Sequence, residues 1–113
     1  MTQPGRTMMT EAILGLLGTG ISKHYMDDPL SIIWCNPAFY KMLGYKEEDF
    51  LREYPDFRRY FGMEPGVFDG MKACFEETYA QGRGSAVYQA PMTVCNGESI
   101  WVEMNGTIVE SPE

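Results

Sequence analysis

Apolar positions in this chain switch between a period of two and a period near 3.6, and the switches mark its elements. Residues 30–35 (LSIIWC) form a short apolar run rich in β-branched side chains, which reads as a strand. Asn36 and Pro37 then make a helix start. The Asn side chain can accept from an early backbone N–H, and Pro at the first helical position gives up an N–H that would be unpaired anyway. Phe39, Met42 and Leu43 fall at i, i+3 and i+4 on one face of a short helix, and Gly44 sits where a left-handed stop is wanted. Upstream, residues 20–25 read as a first strand, and Asp27-Asp28-Pro29 supply the turn before the second. Residues 1–7 are polar, with Pro4 and Gly5, and are expected to fray. Thr10 is placed to cap a short helix over residues 11–17, where Ile13, Leu14 and Leu17 share a face widened by Leu16.

The second half repeats the alternation at greater length. Residues 52–62 (REYPDFRRYFG) mix aromatics with charge around Pro55 and suit short irregular helices lying over a sheet. Residues 65–81 are the longest helix: Val67, Met71, Cys74, Phe75 and Thr78 keep helical spacing, Pro65 stands near the start, and Gly82 closes the end. Gly70 inside it costs about 1 kcal/mol relative to Ala, which points to a close approach by a neighbour. Residues 85–94 alternate as a strand, and Pro91, unable to donate to a ladder, puts that strand at a sheet edge or at a bulge. Asn96-Gly97 is a hairpin turn, and residues 99–110 follow as a further strand. Asn105-Gly106 leaves two readings open, a second turn with residues 107–109 as a stub or one continuous strand.

Composition narrows the class. The 113 residues suffice for one core and not for two. A net charge of −7, with no basic cluster beyond Arg58-Arg59, disfavours a phosphate backbone as partner, so no nucleic acid is expected. No apolar run approaches the roughly 20 residues of a membrane helix, and no signal-peptide order opens the chain. No membrane insertion is expected, and the cytoplasm is the default. Cys35, Cys74 and Cys95 are odd in number, widely spaced and without a C-x-x-C, so neither a disulfide framework nor a metal site is expected.

The block IIWCNPAFYKMLGYKEEDF (residues 32–50) and, downstream, NGESIWVE (residues 96–103) resemble two conserved-order blocks of the PAS domain, a family of sensory and dimerisation modules. The resemblance spans roughly residues 18–110. It departs at Lys46, where the family usually has Ser or Thr capping the next short helix. It implies an α+β fold, a PAS-like antiparallel sheet with short helices on one face. It also implies an amino-terminal segment over residues 1–19 with its short helix, then a domain over residues 20–113. In the family the strand carrying Trp101 runs on through Asn105-Gly106, and a final strand, central in the sheet, follows after a loop. Here the sequence ends where that loop would begin, so the final central strand is expected to be lacking. Its slot, with open edges on both sides, is expected to be filled by a strand from a second copy or by the amino-terminal segment.

The function implied is a regulatory sensor or dimerisation module of a larger cytoplasmic signalling protein, of histidine kinase or cyclic-dinucleotide enzyme type. Its partners would be a second copy (a homodimer, strand-exchanged in one version), the output domain of the parent protein and a small apolar ligand. A pure protein–protein interaction module without ligand, and a small stand-alone enzyme using a pocket carboxylate or Cys, are the alternatives. No cofactor, no catalytic residue and no metal ligand is assigned. Nine methionines and the helix faces suggest a pocket lining of Phe39, Met42, Met71, Phe75 and Trp101, although most such stripes simply pack as core. His24, the single histidine, is expected at the surface, about 10 Å along the sheet from Cys35. Cys74 is expected to face the core and Cys95 to be the most exposed thiol. Glu47-Glu48-Asp49 and Glu76-Glu77 read as solvated helix positions rather than acid–base pairs.

Overall fold

The computed structural model describes residues 6–13 and 18–110. Five strands, β1 (Arg6–Ile13), β2 (Thr19–Tyr25), β3 (Ile32–Cys35), β4 (Ala86–Thr93) and β5 (Ser99–Glu110), form one antiparallel sheet in the order β3-β2-β1-β5-β4. Between β3 and β4 the chain lays α1 (Pro37–Leu43), α2 (Glu47–Glu53), α3 (Phe57–Tyr60) and α4 (Pro65–Ala80) over one face of it. The core fills the space between: Phe39, Phe50, Phe57, Phe68 and Phe75 are each at most 2% exposed. Each such ring contributes about 1.5–3 kcal/mol through burial.

The local signals act as their chemistry dictates. Asn36 caps α1 by accepting from the Phe39 N–H at 2.9 Å. The same Oδ1 accepts from the Ile21 N–H at 2.8 Å, and Nδ2 donates to the Thr19 carbonyl at 3.1 Å. One side chain therefore caps a helix and ties it to β2. Gly44 ends α1 at φ 81°, a left-handed conformation that suits glycine. Lys46 heads α2 without a side-chain cap, and Glu47, Glu48 and Asp49 occupy its first turn instead. Pro91 lies on the edge strand β4. Gly70 is where α4 meets Tyr88: a Cβ there would stand 2.5 Å from the Tyr88 hydroxyl. Gly106 does not turn the chain; β5 runs unbroken through it, and the Phe75 ring lies against it.

The amino-terminal helix is a correction. Residues 11–13, expected to be helical, and Arg6 and Thr7, expected to fray, belong to β1, while residues 1–5 and 14–17 lie outside the described residues. Met8, Thr10 and Ala12 are buried toward the helices, and Met9, Glu11 and Ile13 alternate with them on the open side, a period of two. The slot explains why that period wins. β1 is paired along its whole length with β2 on one side and β5 on the other, whereas an isolated two-turn helix is marginal. Of the two occupants expected for the central slot, the amino-terminal segment takes it, from the same chain.

Candidate functional site

Two surfaces compete for a role: the interior between helices and sheet, and the sheet's open face. In the interior, Phe39, Met42, Met71 and Phe75 come together, each at most 4% exposed, and fill the space with their own side chains. Trp101, the fifth expected lining residue, is not with them; it stands on the opposite face of the sheet, 63% exposed. The reason is strand parity. Val102, Met104, Gly106 and Ile108 of β5 point to the helices, so Trp101 points away with Glu103 and Asn105.

A polar string crosses this otherwise apolar interior. His24 is fully buried, contrary to its expected surface position, because β2 turns Gly20, Ser22 and His24 inward. Its ring lies 4.1 Å from that of Phe57, centroid to centroid. The Leu30 carbonyl can only accept, so Nδ1–H donates to it at 3.0 Å, and the bare Nε2 accepts from the Ser22 hydroxyl at 2.9 Å. Ser22 in turn accepts from the Thr10 hydroxyl at 2.6 Å. Burial holds the imidazole well below its ordinary range, at about 4, so it is neutral at pH 7. The string joins β1, β2 and the left-handed Leu30 of the following turn (φ 54°). It leaves His24 no spare nitrogen for a ligand.

The thiols offer little nucleophilic chemistry. Burial pushes the Cys35 thiol up to about 12, so at pH 7 it carries essentially no thiolate. Tyr40 Oη stands buried near it without a hydrogen bond of normal geometry. Cys74 is half-buried in α4 and Cys95 is exposed beside the β4–β5 turn. Among the described residues, no three His, Cys, Asp or Glu side chains gather as a metal site would need.

The open face is where the sheet is unfinished. Met9, Ile13, Tyr25, Ile33, Trp34 and Val87 are exposed on the strands, as are Trp101 and Val109. Register places Trp34, Lys23, Met9 and Thr107 in one row across four strands and Val109, Thr7 and Tyr25 in another. Lys23 on β2, Glu11 on β1 and Glu103 on β5 give this face both signs of charge. Scattered exposed apolar residues need no explanation; seven of these share one face by strand parity, Ile33 standing at the β2–β3 irregularity, and they form a patch of the kind that marks an interaction surface. Sequence parity carried this signal, since Trp101 alternates with polar Glu103 and Asn105.

An antiparallel sheet, helices on one side only and an apolar opposite face together define an α+β module of one sheet and one helical layer. The chain belongs to the PAS domain family, whose model matches residues 20–112, nearly all of the described structure except β1. No curated protein and no solved structure matches the chain. The family is sensory and regulatory in character.

Proposed function

We propose that this chain is the regulatory input and dimerisation module of a larger cytoplasmic signalling protein, of histidine kinase or cyclic-dinucleotide enzyme type. It would act as a homodimer joined through the open face of the sheet. The observation that carries this is the group of exposed apolar side chains on the open face of the sheet, with Trp34 and Trp101 the largest. A second copy suits the face because it bears Lys23 together with Glu11 and Glu103, so two copies related by a two-fold axis can pair opposite charges around apolar contacts. Signal transfer would then be a change in how the two sheets pack, passed to an output domain through the ends of β1 and β5, which lie side by side at the Arg6–Glu110 pairing. The reading in which the module only mediates protein contacts is favoured over a small apolar ligand in the interior, since Phe39, Met42, Met71 and Phe75 already occupy that space.

Analytical ultracentrifugation tests the reading. The native chain should sediment as a concentration-dependent dimer, and Trp34→Glu with Trp101→Glu should give a folded monomer. Sedimentation as a monomer at every concentration, or a dimer indifferent to both substitutions, would remove the open face from consideration.

A further inference from the structure

At the rim of the sheet, beside β4, three tyrosines from three separate segments meet around a cavity of about 110 Å³. Tyr45 comes from the link between α1 and α2, Tyr54 from the end of α2 and Tyr60 from the last position of α3. The rings of Tyr45 and Tyr54 stand 6.1 Å apart at 85°, and those of Tyr54 and Tyr60 stand 5.3 Å apart at 88°. Perpendicular rings at these distances touch edge to face. All three also pack on the buried Phe50, at 5.4, 5.3 and 5.6 Å from Tyr45, Tyr54 and Tyr60, so the cavity opens on the outer side of this cluster. Phe61, Met63, Pro91 and Thr93 close the sides, and none of the interior residues Phe39, Met42, Met71 or Phe75 reaches it. Pro91 is also the register partner of Trp101, so the cavity adjoins the rim of the open face. Shifts confined to the three tyrosine rings, with Trp34 and Trp101 unmoved, separate the two.

The electrostatics select one sign of charge. No Lys, Arg or His lines the cavity, and its one carboxylate is Glu64. Glu64 occupies the cap position of α4, yet its side chain makes no capping bond, so the helix does not occupy the carboxylate. Tyr60 Oη donates to the Thr93 carbonyl at 2.5 Å, leaving its lone pairs free to accept. Burial, with the neighbouring Tyr45 hydroxyl, raises the Tyr60 phenol above its usual range, and burial with Tyr45 and Glu53 takes Tyr54 up to about 12. Both rings are therefore neutral phenols at pH 7. Electron-rich ring faces beside an uncommitted carboxylate, on a chain of net charge −7, attract a cation and repel an anion. The volume lies well below the roughly 300–1,000 Å³ of pockets for drug-sized ligands, so the cavity takes a head group rather than a whole cofactor.

We propose that this cavity binds the methylated ammonium head of a small organic cation, caged by Tyr45, Tyr54 and Tyr60 with Glu64 as counter-charge. A primary ammonium is the competing ligand, since Glu64 and the tyrosine hydroxyls can accept its N–H donors, whereas a methylated head needs only the ring faces and the counter-charge. Methyl groups on nitrogen spread the charge over a weakly hydrated surface that ring faces can cover.

The test is an NMR titration of the full chain with choline and with its neutral tert-butyl analogue, in which carbon replaces nitrogen. Choline should give saturable shifts centred on the rings of Tyr45, Tyr54 and Tyr60, and the neutral analogue should bind at least about tenfold more weakly. Tyr54→Leu should weaken choline binding about tenfold. Glu64→Gln, which removes no capping bond, should weaken it several-fold and flatten its salt dependence; it decides the matter if Tyr54→Leu unfolds. Equal binding of the neutral analogue, shifts that map elsewhere, or the absence of saturation would each overturn the assignment.

Discussion

Lowering the pH from 7 to 5 should remove about 2 kcal/mol of this domain's stability through one side chain. His24 is the only histidine, and its ring is fully enclosed by β2, Phe57 and the turn at Leu30. Loss of solvation on burial lowers its pKa from 6.5 to about 4, outweighing the Leu30 carbonyl and the Asp27 carboxylate, which pull the other way. A depressed histidine favours the folded state fully above pH 6.5, where both folded and unfolded chains hold it neutral. As pH falls, the unfolded chain takes up a proton that the folded chain refuses, and stability drains away until about pH 4. With those two values, linkage gives about 2 kcal/mol lost by pH 5 and about 3 kcal/mol near pH 4. Model carboxylates titrate near 4, so urea denaturation at pH 7, 6 and 5 isolates the histidine. His24→Gln keeps a donor for Leu30 and an acceptor for Ser22 but cannot charge; its stability should be lower at pH 7 and nearly flat across the range. If both proteins lose stability in parallel, or if the folded imidazole titrates near 6.5 by NMR, the buried string is not as described.

Two further substitutions probe the packing. Gly106→Ala would place a methyl 2.7–2.8 Å from the Phe75 ring. The roughly 0.5–1 kcal/mol that Ala gains over Gly in a strand is then outweighed by about 1–3 kcal/mol of overpacking. A double-mutant cycle with Phe75→Leu should show the penalty shrinking, and strict additivity would contradict the contact. Asn36→Ala should cost about 2–3 kcal/mol in thermal or urea unfolding, since it removes a helix cap and two bonds to β2 together. Asn36→Asp keeps both accepted bonds but turns a carboxylate oxygen toward the Thr19 carbonyl, so it should recover only part of the loss, and no recovery would argue against the dual role.

What the sequence disclosed divides along a physical line. Features fixed by residues within a few positions of one another were legible: Asn36 and Pro37 opening α1, Gly44 closing it, Pro91 sending β4 to the edge, Gly70 marking a close contact. Features fixed by distant partners were not. Residues 10–17 carry apolar side chains compatible with either period, and only the vacancy between β2 and β5 decides for a strand at residues 10–13. His24 was misplaced for the same reason: its burial depends on Phe57 and on Thr10 through Ser22, far apart in the chain. Trp101 was misassigned although its own neighbours, Glu103 and Asn105, shared its outward parity. The tyrosine-lined cavity had no periodic signal, because its tyrosines come from a link and the ends of two helices.

The pairing of β1 with β5 also bears on how the molecule is made. Thr7 opposite Val109 joins residues far apart in the sequence, and contacts of such separation carry a large loop-closure cost and slow folding. A ribosome would release the segment that becomes the middle of the sheet long before its second partner exists. Until then β1 has a hydrogen-bonding partner only in β2, and its other edge stands open, the kind of unpaired edge that exposes a folding chain to mispairing.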